Sequence, residues 1–165
     1  MTNELTDTYI ALAQKIYDME DQLVRALPLM IENTTNTKLT MALTTHLAET
    51  EKHRTRMEKA LKDNGQASER DSAIEKMLEN TVADMVLITD ESVRDAFIIA
   101  SASTVEHIEI AKYTTLILWA KQLGLSEAQE LFEANLAEEE AAAKNLTSIA
   151  ADNFFATGAA EETAT

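Results

Sequence analysis

Along almost the whole chain, apolar residues recur at alternating steps of three and four. A chain patterned in this way folds into amphipathic helices. The first stripe is Leu5, Tyr9, Leu12, Ile16, Met19, Leu23, Leu27 and Met30, one helical face about thirty residues long. Pro28 falls near its end and is expected to kink the helix or begin its termination, because proline has no N–H for the preceding turn. The polar run Asn33-Thr34-Thr35-Asn36-Thr37 reads as a connection. A second stripe is Leu39, Leu43, His46, Thr50, His53, Met57 and Ala60 or Leu61, with Asn64-Gly65 as its stop signal. A shorter amphipathic piece, from about Ser72 to Asp90, carries Ile74, Leu78, Val82 and Met85. The third long stripe runs from about Ser92 through Ile98, Val105, Ile108, Leu116 and Trp119 to Leu123, closed by Gly124. Ser126 is the expected N-cap of the last helix, which carries Ala128, Phe132, Leu136, Ala143, Leu146 and Ile149 and is expected to fray around Phe154-Phe155.

Short links between the first and second long helices, and between the third and fourth, make each pair antiparallel. The long middle connection then joins two hairpins. The expected fold is therefore all-α: a ferritin-like four-helix bundle of two antiparallel hairpins, with a short crossover helix between helices 2 and 3. A plain five-helix array is the alternative. One Pro and three Gly in 165 residues disfavour many-turned β architectures. The expected organisation is one helical domain over residues 1–155 and a disordered tail over 156–165, where the residues are small and polar.

Charge narrows the partners. The chain has 14 Lys and Arg against 29 Asp and Glu, a formal net charge of −15. Such a surface repels nucleic-acid phosphates and anionic membranes, so neither is an expected partner. It attracts cations. The absence of Cys removes disulfides, thiolate zinc sites, cysteine-ligated iron–sulfur clusters and a cysteine nucleophile. No apolar run is long enough to span a bilayer. The first residues, MTNELTDTY, have neither the basic nor the apolar region of a secretory signal, so the cytoplasm is the expected compartment.

In an acidic protein the informative carboxylates are those on apolar stripes. Glu20 shares a face with Ile16, Leu23, Val24 and Leu27. Glu49 lies three residues after His46 and four before His53, so these three line one face. Glu106 and Glu109 form an i, i+3 pair among Ile99, Ala102, Ile110, Tyr113 and Ile117. Glu139 is bracketed by Phe132, Leu136, Ala143 and Leu146. Each long helix thus puts a carboxylate where a core is expected. Buried carboxylates that converge repel one another, and two divalent cations remove the conflict. Oxygen ligands with one or two imidazoles suit iron or manganese better than a soft metal.

Each residue taken alone also has an ordinary reading. Glu20 could snorkel from the edge of its stripe, and either histidine could be a satisfied core residue. Glu138-Glu139-Glu140 could be a plain acidic run, and Glu49 and Glu51 beside Lys52, Arg54 and Arg56 could be surface ion pairing. The coincidence of a mid-stripe carboxylate on all four long helices favours the metal site.

The segments Tyr17 to Pro28, His46 to His53, Val93 to Ala96, Val105 to Tyr113 and Glu138-Glu139 resemble the YciE/YciF family of bacterial stress-associated ferritin-like proteins. The resemblance spans about Leu5 to Ala150. It implies a rubrerythrin-like bundle with a dinuclear metal centre, a homodimeric assembly and a poorly defined activity. It maps Glu20, Glu49, Glu106, Glu109 and Glu139 onto the ferritin-like ligand positions. Two departures stand out. Three residues after Glu49 comes Lys52 rather than the histidine of a Glu-x-x-His pair, so His46 and His53 compete for the imidazole role. Ala142 stands where Glu139-x-x-His would place a second imidazole.

Two function classes follow, with a weaker third in which the chain is a structural helical domain that holds no metal. In the first, two divalent ions, iron in preference to manganese, serve redox or metal-handling chemistry on peroxide or oxygen, with an external reductant and Tyr17 or Tyr113 nearby. In the second, the chain is a non-enzymatic helical stress protein whose metal site is structural or vestigial, with the seven Met and the crossover helix offering an interface.

Overall fold

The computed structural model describes residues 4–62 and 70–158, with side chains to residue 152. Five helices follow one another: α1 (Glu4–Asn33), α2 (Thr37–Leu61), α3 (Ser72–Met85), α4 (Glu91–Leu123) and α5 (Ser126–Gly158). No strand occurs among the described residues. The long helices pair as α1 with α2 and α4 with α5. Packing of α2 on α5 and of α1 on α4 closes the four-helix bundle, while α3 lies outside on α1 and α4. This is the expected ferritin-like arrangement of two hairpins and a crossover helix.

Local chemistry sets the helix ends. Asn36 and Asp90 cap α2 and α4, their side chains accepting from Leu39 N and Val93 N. Gly124 closes α4 in the left-handed region at φ 72°, where a residue with a Cβ would be strained. Asp71 caps α3, and Lys112 Nζ binds its carboxylate at 2.7 Å, tying the crossover helix to α4.

Several ends differ from expectation. Pro28 neither stops α1 nor begins its end, since the helix runs five residues further to Asn33. Beyond the proline, Met30 is buried and Ile31 packs on the core. Together these contribute about 2–5 kcal/mol, enough to offset the roughly 3 kcal/mol that an interior proline costs. Ser126 is not the N-cap. The Leu125 carbonyl accepts the first bond of α5, from Gln129 N at 2.9 Å, so the cap position falls one residue earlier. The crossover helix ends at Met85 rather than near Asp90. The stop signal Asn64-Gly65 lies outside the described residues, and α2 ends at Leu61 with Lys62 as its cap. The last helix continues through Phe154 and Phe155 to Gly158; the remainder of the expected tail, residues 159–165, lies outside the described residues.

The core runs the length of the bundle, with Ile16, Met19, Leu43, Met57, Ile98, Leu116 and Phe132 essentially inaccessible. Its middle is interrupted by ionisable side chains: Glu20, His46, His53, Glu106, Glu109 and Glu139 are all buried.

Candidate metal centre

The four long helices deliver these six side chains to one level of the bundle because each residue sits mid-stripe, on the same face as its apolar neighbours. They form two groups. His46, Glu106, Glu109 and Glu139 each offer one ligand atom, all within 4.8 Å of one another; Glu20, His53 and Glu139 do the same. Glu139 belongs to both. His46 Nε2 lies 3.2 Å from Glu106 Oε1 and 3.9 Å from Glu139 Oε2. His53 Nδ1 lies 2.7 Å from Glu139 Oε1 and 3.7 Å from Glu20 Oε1. The 2.7 Å approach is not a hydrogen bond, for both His53 Nδ1 and Glu139 Oε1 are without such a partner.

That orphaning extends through the cluster. Glu20 Oε2, His46 Nδ1, Glu106 Oε2 and both oxygens of Glu109 and Glu139 are buried without a hydrogen-bond partner. Such groups cost several kcal/mol unless protonated or bound to a cation. Burial, reinforced by the neighbouring carboxylates, pushes Glu20 up to about 8, Glu106 up to about 10 and Glu139 up to about 7, and raises Glu109 well above the ordinary range. Burial, with His53 beside it, pushes His46 down to about 4, so its imidazole is neutral with a lone pair to offer. An oxygen-rich set with one imidazole per group fits a pair of hard or borderline divalent cations.

A ring of hydrogen bonds encloses the His53 side. Glu138 takes the His53 Nε2–H at 2.7 Å, leaving Nδ1 as the lone-pair atom that faces Glu139 and Glu20. Burial alone would raise Glu138, but Arg56 and His53 outweigh it and hold the carboxylate below its usual range. Arg56 grips Glu138 through both guanidinium nitrogens and donates to Asn135 Oδ1 at 2.9 Å. Asn135 Nδ2 donates to the Tyr113 hydroxyl at 2.9 Å, and that hydroxyl donates to Glu20. Tyr113 therefore meets the cluster directly. Tyr17 is partly buried at the core edge.

The His46 side is open. A cavity of about 550 Å³ lies between α2 and α5, with His46, Glu49 and Glu106 in its wall.

Six of the seven expected ligands are thus gathered: Glu20, His46, His53, Glu106, Glu109 and Glu139. Both histidine candidates are present, one in each group. Glu49 is in neither group. It is partly exposed, and its carboxylate stands 3.9 Å from His46 Nδ1. Sequence reasoning missed Glu138, Arg56 and Asn135 as supports of the site. The only signal for Glu138 was its position beside Glu139.

The fold and this cluster define the class: a ferritin-like helical bundle whose core holds carboxylates and imidazoles in groups that could bind metal. The family described as a domain of unknown function, DUF892, matches residues 4–159, and the chain belongs to it. The chain is similar to Protein YciF of Escherichia coli strain K12, at 35% identity over 152 residues covering 90% of this chain and 92% of YciF. The crystal structure of that protein, described as a stress protein, aligns with a TM-score of 0.86 over 93% of this chain and 98% of YciF. YcfI of Rhodopseudomonas palustris, described provisionally as a structural protein, is 37% identical with a TM-score of 0.83, covering 88% of this chain and 94% of YcfI. A Xanthomonas campestris protein at 22% identity shares the fold, with a TM-score of 0.77 over 96% of this chain and 99% of that protein. The expected YciE/YciF resemblance is borne out. Among the described residues, no helix is long and apolar enough to cross a membrane.

Proposed function

We propose that this chain is a dinuclear metal carboxylate protein, binding two divalent ions, iron in preference to manganese, and serving redox or metal-handling chemistry on peroxide or oxygen under stress. One observation carries the proposal: Glu139 faces both ligand groups, and its two buried oxygens have no hydrogen-bond partner. A carboxylate so placed could serve as a ligand in either group. The four buried carboxylates Glu20, Glu106, Glu109 and Glu139 balance two divalent cations in charge. When bound, such ions supply Lewis acidity and electron transfer towards a small oxidant. Glu138 fixes the His53 tautomer, Tyr113 orients Glu20, and the apolar core around them excludes water. The proposal includes the cytoplasmic location and the homodimer expected from the sequence and its family resemblance.

Metal content decides it. The chain is purified without added metal, loaded with Fe(II) or Mn(II), and assayed for bound metal and then for peroxide consumption. The expected result is about two ions per chain and measurable turnover. Substoichiometric metal that does not rise on loading would overturn the proposal. Two ions per chain without turnover would favour the second reading, a structural stress protein, for which the provisional description of YcfI is the supporting observation.

A further inference from the structure

We propose that the cavity between α2 and α5 is a binding site for a small uncharged donor molecule, one nitrogen or oxygen lone pair on an apolar body, which reaches the centre from its His46–Glu106 side. The proposal rests on the metal reading above and names the ligand class of that centre.

The two sides of the cluster are built differently. On the His53 side a hydrogen-bonded ring closes the approach: Glu138 holds His53 Nε2, Tyr113 holds Glu20, and Asn135 and Arg56 stand behind them. Glu20 Oε2 and His53 Nδ1, though without partners, belong to residues that do not line the cavity. On the other side, His46 Nδ1 and Glu106 Oε2 have no partner, their residues are 5% and 2% exposed, and both residues line the cavity. Two buried polar groups without partners at the floor of a cavity mark a site rather than a packing defect.

Ala142 explains why the space exists. It lies three residues after Glu139, hence on the same side of α5, and it lines the cavity. A Glu-x-x-His pair would place an imidazole there, whereas a methyl group leaves the volume open. About 550 Å³ lies within the roughly 300–1,000 Å³ of small-molecule sites. Leu43, Leu146 and Ile149 give the wall its apolar character, and the exposed Lys38–Asp152 ion pair, 2.7 Å apart, stands at the outer end. Charge selects the head group. Two divalent ions are already balanced by four carboxylates, and Glu49 adds a further acid to the cavity wall. An anionic ligand meets net repulsion there, and a neutral donor does not.

The test uses the full chain loaded with Co(II), whose visible absorption reports coordination. Cobalt content is measured first; failure to reach two ions per chain would overturn the metal reading itself and this proposal with it. Imidazole is then titrated, with acetate as the anionic comparison, and cobalt content is checked after gel filtration. The expected result is a saturable spectral change with imidazole and at least tenfold weaker binding of acetate. Ala142→Phe should weaken imidazole at least tenfold at unchanged cobalt content, and Ala142→His should give the imidazole-bound spectrum with no ligand added. If Ala142→Phe loses cobalt, the smaller Ala142→Leu is used for the same comparison. Unchanged imidazole affinity in the filled variant, or no response in the parent protein, would overturn the site. Acetate binding as tight as imidazole would overturn the ligand class.

Discussion

Arg56 touches no member of the buried cluster, yet two of them depend on it. Its guanidinium fixes Glu138, which holds His53, and Asn135, which holds the Tyr113 hydroxyl on Glu20. Supports of this kind are worth about ten- to a hundredfold in metal affinity. Arg56→Gln is therefore expected to weaken the position formed by Glu20, His53 and Glu139 by that factor. The position of His46, Glu106 and Glu109 should be unaffected. A two-site metal titration reads the difference, and equal weakening of both positions would show that Arg56 acts on the fold as a whole. At this scale the carboxylates were legible in the sequence, since Glu20, Glu106, Glu109 and Glu139 interrupt apolar stripes. The supports were not. Glu138-Glu139-Glu140 reads as one acidic run, but each helical step turns the side chain by about 100°. Glu139 therefore points into the core, Glu138 to Arg56, and Glu140 is exposed. Arg56 and Glu138 are 82 residues apart, and nothing in local spacing announces their meeting.

Among the elements, the joint between α1 and α2 is held by a residue on a third helix. Asp95, near the start of α4, is buried and accepts from Thr35 N at 3.0 Å, Thr35 Oγ1 at 2.8 Å and Asn36 N at 2.9 Å. Next to it, Arg94 binds the Asn33 and Ile88 carbonyls, so the start of α4 grips both neighbouring links. Asp95→Ala leaves two backbone N–H groups of the link without their acceptor and is expected to cost about 2–4 kcal/mol. The urea midpoint should fall with an unchanged slope, while metal affinity, set some distance along the bundle, stays within a factor of about two. An unchanged midpoint would mean that water replaces the carboxylate without loss. Helices were legible because their period is written in every turn. Their ends were less so, because an end is decided by a few groups. Pro28 is tolerated for the sake of Met30 beyond it, and Asp95 anchors a turn sixty residues earlier in the chain.

For the whole molecule, the formal charge of −15 counts every carboxylate as ionised. The folded, metal-free chain does not keep them so. Glu20, Glu106 and Glu139 hold their protons up to about pH 8, 10 and 7, and Glu109 well above its ordinary range. In the unfolded chain each titrates near 4.5. A raised folded value means that the folded state binds more protons. The stability these groups contribute is full below about pH 4.5 and is lost as pH rises through the folded values. His46 works in the opposite direction. Its folded value near 4 lies below the unfolded 6.5, so its contribution is present above pH 6.5 and lost on acidification towards 4. One imidazole against four carboxyls leaves the carboxyls in control. The melting temperature of chelator-treated protein is expected to fall steadily from pH 5.5 to pH 8.5. Metal reverses the slope, because ligands must lose their protons to bind and affinity therefore grows with pH. At a hundredfold excess over the dissociation constant, the gain is about 2.7 kcal/mol. Thermal unfolding at pH 5.5, 7.0 and 8.5, with and without Fe(II) or Mn(II), should give curves that diverge as pH rises. Parallel curves would mean that the buried carboxylates stay protonated beside the ion and do not bind it.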